Sequence, residues 1–151
     1  MDKVEKLTKA ILMSGLNIIQ ECEVEHTFVP GIYMRTLTIQ ADRIIIGEKH
    51  KTEHLNIITE GECLVRSDEN DIKLIKAPYK FISKPGVKKT VYTITKTVWS
   101  NVHPNPDNTT DVETIRNRVI DVDYENQLIS QAKQELIQLH IDKENLCLGV
   151  Q

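Results

Sequence analysis

Residues 47–65, GEKHKTEHLNIITEGECLV, carry two of the chain's five histidines, His50 and His54, four residues apart. An imidazole can ligate a metal, hold an anion or move a proton near neutral pH. Glu48, His50 and His54 share parity, and on a strand residues of one parity point to one face. They make a candidate two-histidine, one-carboxylate metal set of the open kind used by iron enzymes. A divalent first-row ion needs such donors within about 2.0–2.3 Å. Without a metal, histidines on both sides of a phosphodiester can act as general base and general acid, each worth roughly 10²–10⁴-fold. His103 is the third candidate, alternating with Trp99 and Asn101 in VWSNVH. These three turn inward or outward together. Inward, His103 joins the other two imidazoles; outward, Trp99 packs under the C-terminal helices. The plainer alternative is a set of histidines that only satisfies hydrogen bonds in a polar interior.

The elements that must position them fall into three regions of a single domain over 1–151. In residues 1–16, Val4, Leu7 and Ile11 have helical spacing and Gly15 is the expected stop. Over 18–103 the period changes, and YMRTLTI and VYTITKTVWSNVH are rich in β-branched and aromatic residues. Turn signals recur at Pro30-Gly31, Gly47, Gly61, DEND and Pro85-Gly86, which predicts short strands of a sandwich or small barrel. Leu55, Ile57, Leu64, Ile72, Leu74, Phe81 and Val91 are expected in the core or against the sheets. After HPNPDN, Thr110 and Glu113 predict a capping box for a helix over 111–120. A second helix over 123–140 places Tyr124, Leu128, Ala132, Leu136 and Leu139 on one face. The apolar NLCLGV after it is expected to add a contact or a short strand.

Composition narrows the classes. The chain has 151 residues, 40% hydrophobic and 27% charged, ordinary for a globular domain with a real core. A net charge of −3 argues against DNA or an anionic membrane as partner. Cys22, Cys63 and Cys147 are far apart and odd in number, which reads as reduced thiols in a cytosolic protein. The start MDKVEKLTKAILMSG fits neither a signal peptide nor a membrane span. There is no Gly-rich phosphate loop and no GxSxG, so triphosphate hydrolysis and acyl transfer have no support.

Glu48-x-His50-x3-His54-x6-Gly61 has the spacing of the first cupin motif, His-x-His-x3-Glu-x6-Gly. APYKFISKPGVKKTVY resembles the second cupin motif, with its Pro, its Gly and the strand that follows. The chain therefore resembles a small single-domain cupin over about residues 30–103. That resemblance implies a mainly β fold, a cupin-like antiparallel β-barrel (jelly roll), here with an N-terminal helix and two C-terminal helices. The spacing matches while the identities depart. Glu48 stands where a His belongs, His54 where Glu belongs, and Lys89 or Thr90 where the second motif has its His. An ammonium cannot ligate, so the expected cofactor is none, the alternative being one divalent transition metal on Glu48, His50 and His54.

A cupin brings both motif segments to one barrel mouth, which would gather Lys49, Lys51, Lys84, Lys88 and Lys89 there. With His50, His54, Trp99 and Asn101 they suggest a pocket for a flat anion, the cations holding phosphate and the indole giving a stacking face. The segments KHKTEHLNIITEGECLV, LIKAPYKFISKPGVKK and VWSNVHP also resemble short cupin-like proteins of bacteriophages. This implies a phage protein in the host cytoplasm, binding a nucleotide or cyclic-nucleotide immune signal as a sponge or a metal-independent phosphodiesterase. His50, His54 and His103 would be the catalytic set. The alternatives are a metal-dependent cupin enzyme and a virion or assembly protein. Cupins commonly dimerise through their sheets, so a homo-oligomer is expected.

Overall fold

The computed structural model describes residues 3–14, 22–67 and 70–148. Helix α1 (Lys3–Ser14) is followed by strands β1 (Cys22–Val29), β2 (Gly31–Ile39), β3 (Arg43–Ile46), β4 (His54–Glu60) and β5 (Glu62–Ser67). Then come β6 (Asn70–Lys76), β7 (Tyr79–Ser83), β8 (Lys89–Thr93) and β9 (Thr97–Asn105), with α2 (Val112–Val119) and α3 (Val122–Leu148) closing the order. The strands form two antiparallel sheets, β1-β2-β9-β4-β7 and β3-β8-β5-β6. Among the described residues no helix is long and apolar enough to cross a membrane.

Between the sheets lies an apolar cluster. Ile39, Ile58 and Trp99 come from the five-stranded sheet, and Ile45, Cys63, Val65, Ile75 and Val91 from the four-stranded one. Of the residues expected to be core or sheet-packing, Val91 is buried, and Leu55, Ile57, Leu64 and Phe81 are half-buried. Ile72 and Leu74 are exposed, at 53% and 48%. The reason is parity. On β4 the inward residues are His54, Asn56 and Ile58, so the interior takes the polar set and leaves Leu55 and Ile57 on the other face.

Two glycines tie the motifs to the fold. Gly61, at φ +95°, turns β4 into β5, and a Cβ there would lie 2.2 Å from the Lys96 carbonyl oxygen. Only glycine fits that close approach. Gly86, at φ +83°, donates its N–H to the His50 carbonyl at 2.8 Å, so the Pro-Gly turn of the second motif fixes the backbone of the first.

The helices differ from expectation in three places. Asp111, not Thr110, caps α2, its carboxylate accepting the Glu113 N–H and the Thr114 hydroxyl. A carboxylate at the N-cap also meets the positive end of the helix dipole. Helix α3 runs on to Leu148, so the NLC-Leu segment is helix and not strand. Of its apolar face, Leu128 and Ala132 are buried against the body, while Leu136 and Leu139 are 47% and 49% exposed. The first half is tied to α1 by Tyr124 donating to Glu5 at 2.8 Å and by Lys9 pairing with Glu135 at 2.7 Å. Gly15, residues 18–21 and the Gly-Val-Gln end lie outside the described residues.

Candidate functional site

The inner face of the five-stranded sheet is ordered in rows by its register. At one end Tyr33 pairs with His103 and His54 with Ser83, and the Leu55–Val102 pair sets His54 beside His103. In the next row His26 pairs with Arg35, Arg35 with Asn101, Asn101 with Asn56, and Asn56 with Phe81. The third row is Val24, Leu37, Trp99 and Ile58, and the fourth is Cys22, Ile39 and Thr97. The inner face thus grades from polar to apolar along the barrel.

His50 enters from the loop before β4 and forms a bridge with Ile120 at the α2–α3 junction. Its ring centroid lies 4.1 Å from His54 and 5.5 Å from His103, and His54 lies 4.9 Å from His103. The three imidazoles form one cluster in the wall of a cavity of about 600 Å³. Trp99, Asn101 and His103 all turn inward and line it.

Nδ1 of His50 faces the Glu48 carbonyl at 3.0 Å, and Nδ1 of His54 faces the Thr52 carbonyl at 3.2 Å. A carbonyl only accepts, so in each neutral ring Nδ1 carries the proton and Nε2 keeps its lone pair. Nδ1 of His103 is buried and has no hydrogen-bond partner among the described residues. Burial, with the charges of His54, His103 and Lys89 adding to it, lowers the His50 pKa to about 3. Burial lowers His54 to about 4 against the opposing Thr52 hydrogen bond, with Lys89 adding to the fall. His103 falls to about 4 through burial and then the charges of His54 and Arg35. At pH 7 all three rings are neutral.

Two cations act on this cluster from different sides. Lys89, on β8, faces His50 and His54 and holds its Nζ 5.8 Å from the Phe81 ring centroid. Arg35, on β2, acts on His103. Both line the cavity. Of the other lysines named from the sequence, Lys88 also lines the cavity, while Lys49, Lys51 and Lys84 are not among its lining residues. Lys88 is buried and lies 2.8 Å from both Glu125 carboxylate oxygens. Lys49 stands over the Tyr124 ring at 4.1 Å, and Lys51 donates to the Asn117 carbonyl at 2.8 Å. Lys84 is exposed and outside the cavity wall. The C-terminal helices therefore take up most of the basic mouth.

Asn56 organises the second row. Its Oδ1 accepts from Trp99 Nε1 at 3.0 Å and from Asn101 Nδ2 at 2.8 Å, and its Nδ2 donates to Ser83 Oγ at 2.9 Å. Asn56 and Asn101 both line the cavity. Sequence reasoning missed Arg35, Asn56 and His26. Parity with Tyr33 and Leu37 was the available signal for Arg35, since all three alternate in YMRTLTI.

The Glu48 carboxylate, named as a metal ligand, is bound by the Arg116 guanidinium of α2. Among the described residues no three His, Cys, Asp or Glu side chains are disposed to hold a metal ion. The donor set as it stands, with a lysine beside it, does not fit a resident cation.

No protein-family model matches the chain, and no curated protein matches it. Solved structures do. An uncharacterized conserved protein with a double-stranded β-helix domain from Klebsiella pneumoniae is 13% identical, with 60% of this chain and 82% of that one covered and a TM-score of 0.50. A cupin superfamily protein from Desulfitobacterium hafniense is 7% identical (57% and 79% covered, TM-score 0.49). An RmlC-like cupin from Methanocaldococcus jannaschii is 13% identical (58% and 84% covered, TM-score 0.48). At such identities the likeness concerns the fold alone, and the fold is cupin-like.

Proposed function

We propose that the barrel binds a small anionic molecule, with Lys89 and Arg35 holding its charge across the imidazole cluster. The observation that supports this is the pair of cations acting on three neutral rings from different sides of one cavity. Three neutral imidazoles donate and accept hydrogen bonds without demanding a countercharge, and the unpartnered His103 Nδ1 is one more group for a ligand to satisfy. A buried polar atom left without a partner costs about 1–3 kcal/mol, which binding would recover.

The first ligand to try is a nucleotide. The resemblance to phage cupins points to a nucleotide signal of host defence, taken up by a sponge; that step is analogy. Sequestration fits the site better than hydrolysis does, because rings with pKa values of about 3 and 4 offer no imidazolium as general acid at neutral pH. Calorimetry against nucleoside monophosphates and cyclic mono- and dinucleotides, with chromatography of the mixtures, tests both halves. Binding without product supports the sponge; product formation supports the phosphodiesterase.

The competing reading is a metal-dependent cupin enzyme. Elemental analysis of purified protein is expected to find transition metal well below one ion per chain, because Arg116 occupies Glu48 and Lys89 repels a cation. A full equivalent of tightly held metal would favour the enzyme instead.

A further inference from the structure

We propose, resting on the anion reading above, that the cavity takes a single-headed amphipathic anion. One phosphate or carboxylate lies at the imidazole end, and an apolar or planar body extends along the barrel toward Trp99.

The rows carry this. Inward residues two apart on a strand are about 6.5 Å apart, so the His103 and Trp99 rows are separated by roughly 13 Å. The charges in the wall gather at the His103 end. Lys89 and Arg35 act directly on the rings there. Arg116 is paired with Glu48, and Lys88 with Glu125, in the segments that flank His50 and Lys89. Past the Arg35 and Asn101 row the wall changes character. Val24, Leu37 and Trp99 line it from one sheet and Ile45 and Val91 from the other. The indole N–H is already spent on Asn56. A second charged group at this end would be stripped of water with no partner, which is strongly unfavourable. A methylene there gains about fourfold in affinity (about 0.8 kcal/mol). A cavity of about 600 Å³ is of the size that holds one such molecule. A cyclic dinucleotide, with phosphates on opposite sides, is two-headed and does not match.

Trp99 is the chain's sole tryptophan and lines the cavity, so its fluorescence reports on the far end. The test titrates the intact protein with inorganic phosphate, then ethyl, butyl and hexyl phosphate, then 1,6-hexanediol bisphosphate. Calorimetry is run in parallel. Affinity is expected to rise about fourfold per methylene through the alkyl series. The bisphosphate should bind at least tenfold more weakly than hexyl phosphate. Leu37→Asn should flatten the alkyl series and leave inorganic phosphate unchanged. Val24→Asn, at a position 41% exposed, serves the same purpose should the first variant fail to fold. Phosphate binding with no chain-length dependence would overturn this proposal and leave the anion reading standing. So would a bisphosphate that binds as well as hexyl phosphate, or a chain-length dependence that survives both variants. Absence of binding by every phosphate, with no effect of Lys89→Ala, would overturn the anion reading and this proposal together.

Discussion

Lys88 and Lys89 are neighbours in the chain and serve different parts of the molecule. Lys88 is buried in an ion pair with Glu125, whose carboxylate also accepts the Lys49 N–H at 2.7 Å. That corner fastens α3 to the loops preceding β4 and β8. Lys89, which lines the same cavity as Lys88, acts instead on the uncharged imidazoles of His50 and His54. In the first region each ion has its opposite and the result is stability. In the second, cations act on uncharged rings in the cavity wall, the arrangement on which the proposed anion binding rests.

The largest expected effect is on the cavity side, in the dependence of stability on pH. The folded pKa values of His50, His54 and His103 lie at about 3, 4 and 4, below the ordinary imidazole value of 6.5. Between those values the unfolded chain binds more protons, so stability rises with pH. Their neutral burial is undisturbed above 6.5, and the penalty grows as pH falls from 6.5 toward 4 and then 3. Each ring contributes a slope of about 1.4 kcal/mol per pH unit, or about 2 kcal/mol each by pH 5. Denaturant melts at pH 7.5, 6 and 5 should show this steep loss, and His103→Gln should reduce the slope by about one proton. A flat profile would mean that the rings are solvated and the two regions are less different than described.

On the lock side, Lys88→Ala leaves the Glu125 carboxylate, 12% exposed, without its ammonium partner and is expected to lower stability by about 3–5 kcal/mol. Lys88→Met with Glu125→Gln removes both charges, keeps an acceptor for the Lys49 N–H, and should regain most of the loss. If Lys88→Ala melts like the parent, the lock is not structural.

The smallest effect sits on the helix that forms part of the cavity wall. Asp111→Ala removes the N-cap of α2 and should reduce stability by about 1 kcal/mol. Thr110→Ala should change it little, and the reverse ranking in thermal melts would restore the Thr110 capping box.

How much of this was legible in the sequence follows the same division. The barrel could be read because turn glycines and β-branched runs are local signals, and Gly61 and Gly86 do sit where the backbone admits no side chain or needs positive φ. The inward parity of His54, and the shared facing of Trp99, Asn101 and His103, follow from strand alternation alone. The core was misread on β4 because hydrophobicity was taken to mark the inside, whereas a polar cavity reverses that rule there. Arg35 was missed for the same reason, a charged side chain at an inward position. The division of labour between Lys88 and Lys89 depends on Glu125, far along the chain, and no local pattern announces a tertiary ion pair.

The central claim is that Lys89 holds the charge of a ligand and contributes little to the fold. It is tested most directly by calorimetry of parent protein and Lys89→Ala against nucleoside monophosphates, with a thermal melt of each. The account predicts binding by the parent and a loss of roughly 1.5–3 kcal/mol in the variant, the range for a hydrogen bond to a charged group. The two melting temperatures should agree closely. No heat with any nucleotide, together with a variant that melts well below the parent, would contradict it and make Lys89 another structural lysine.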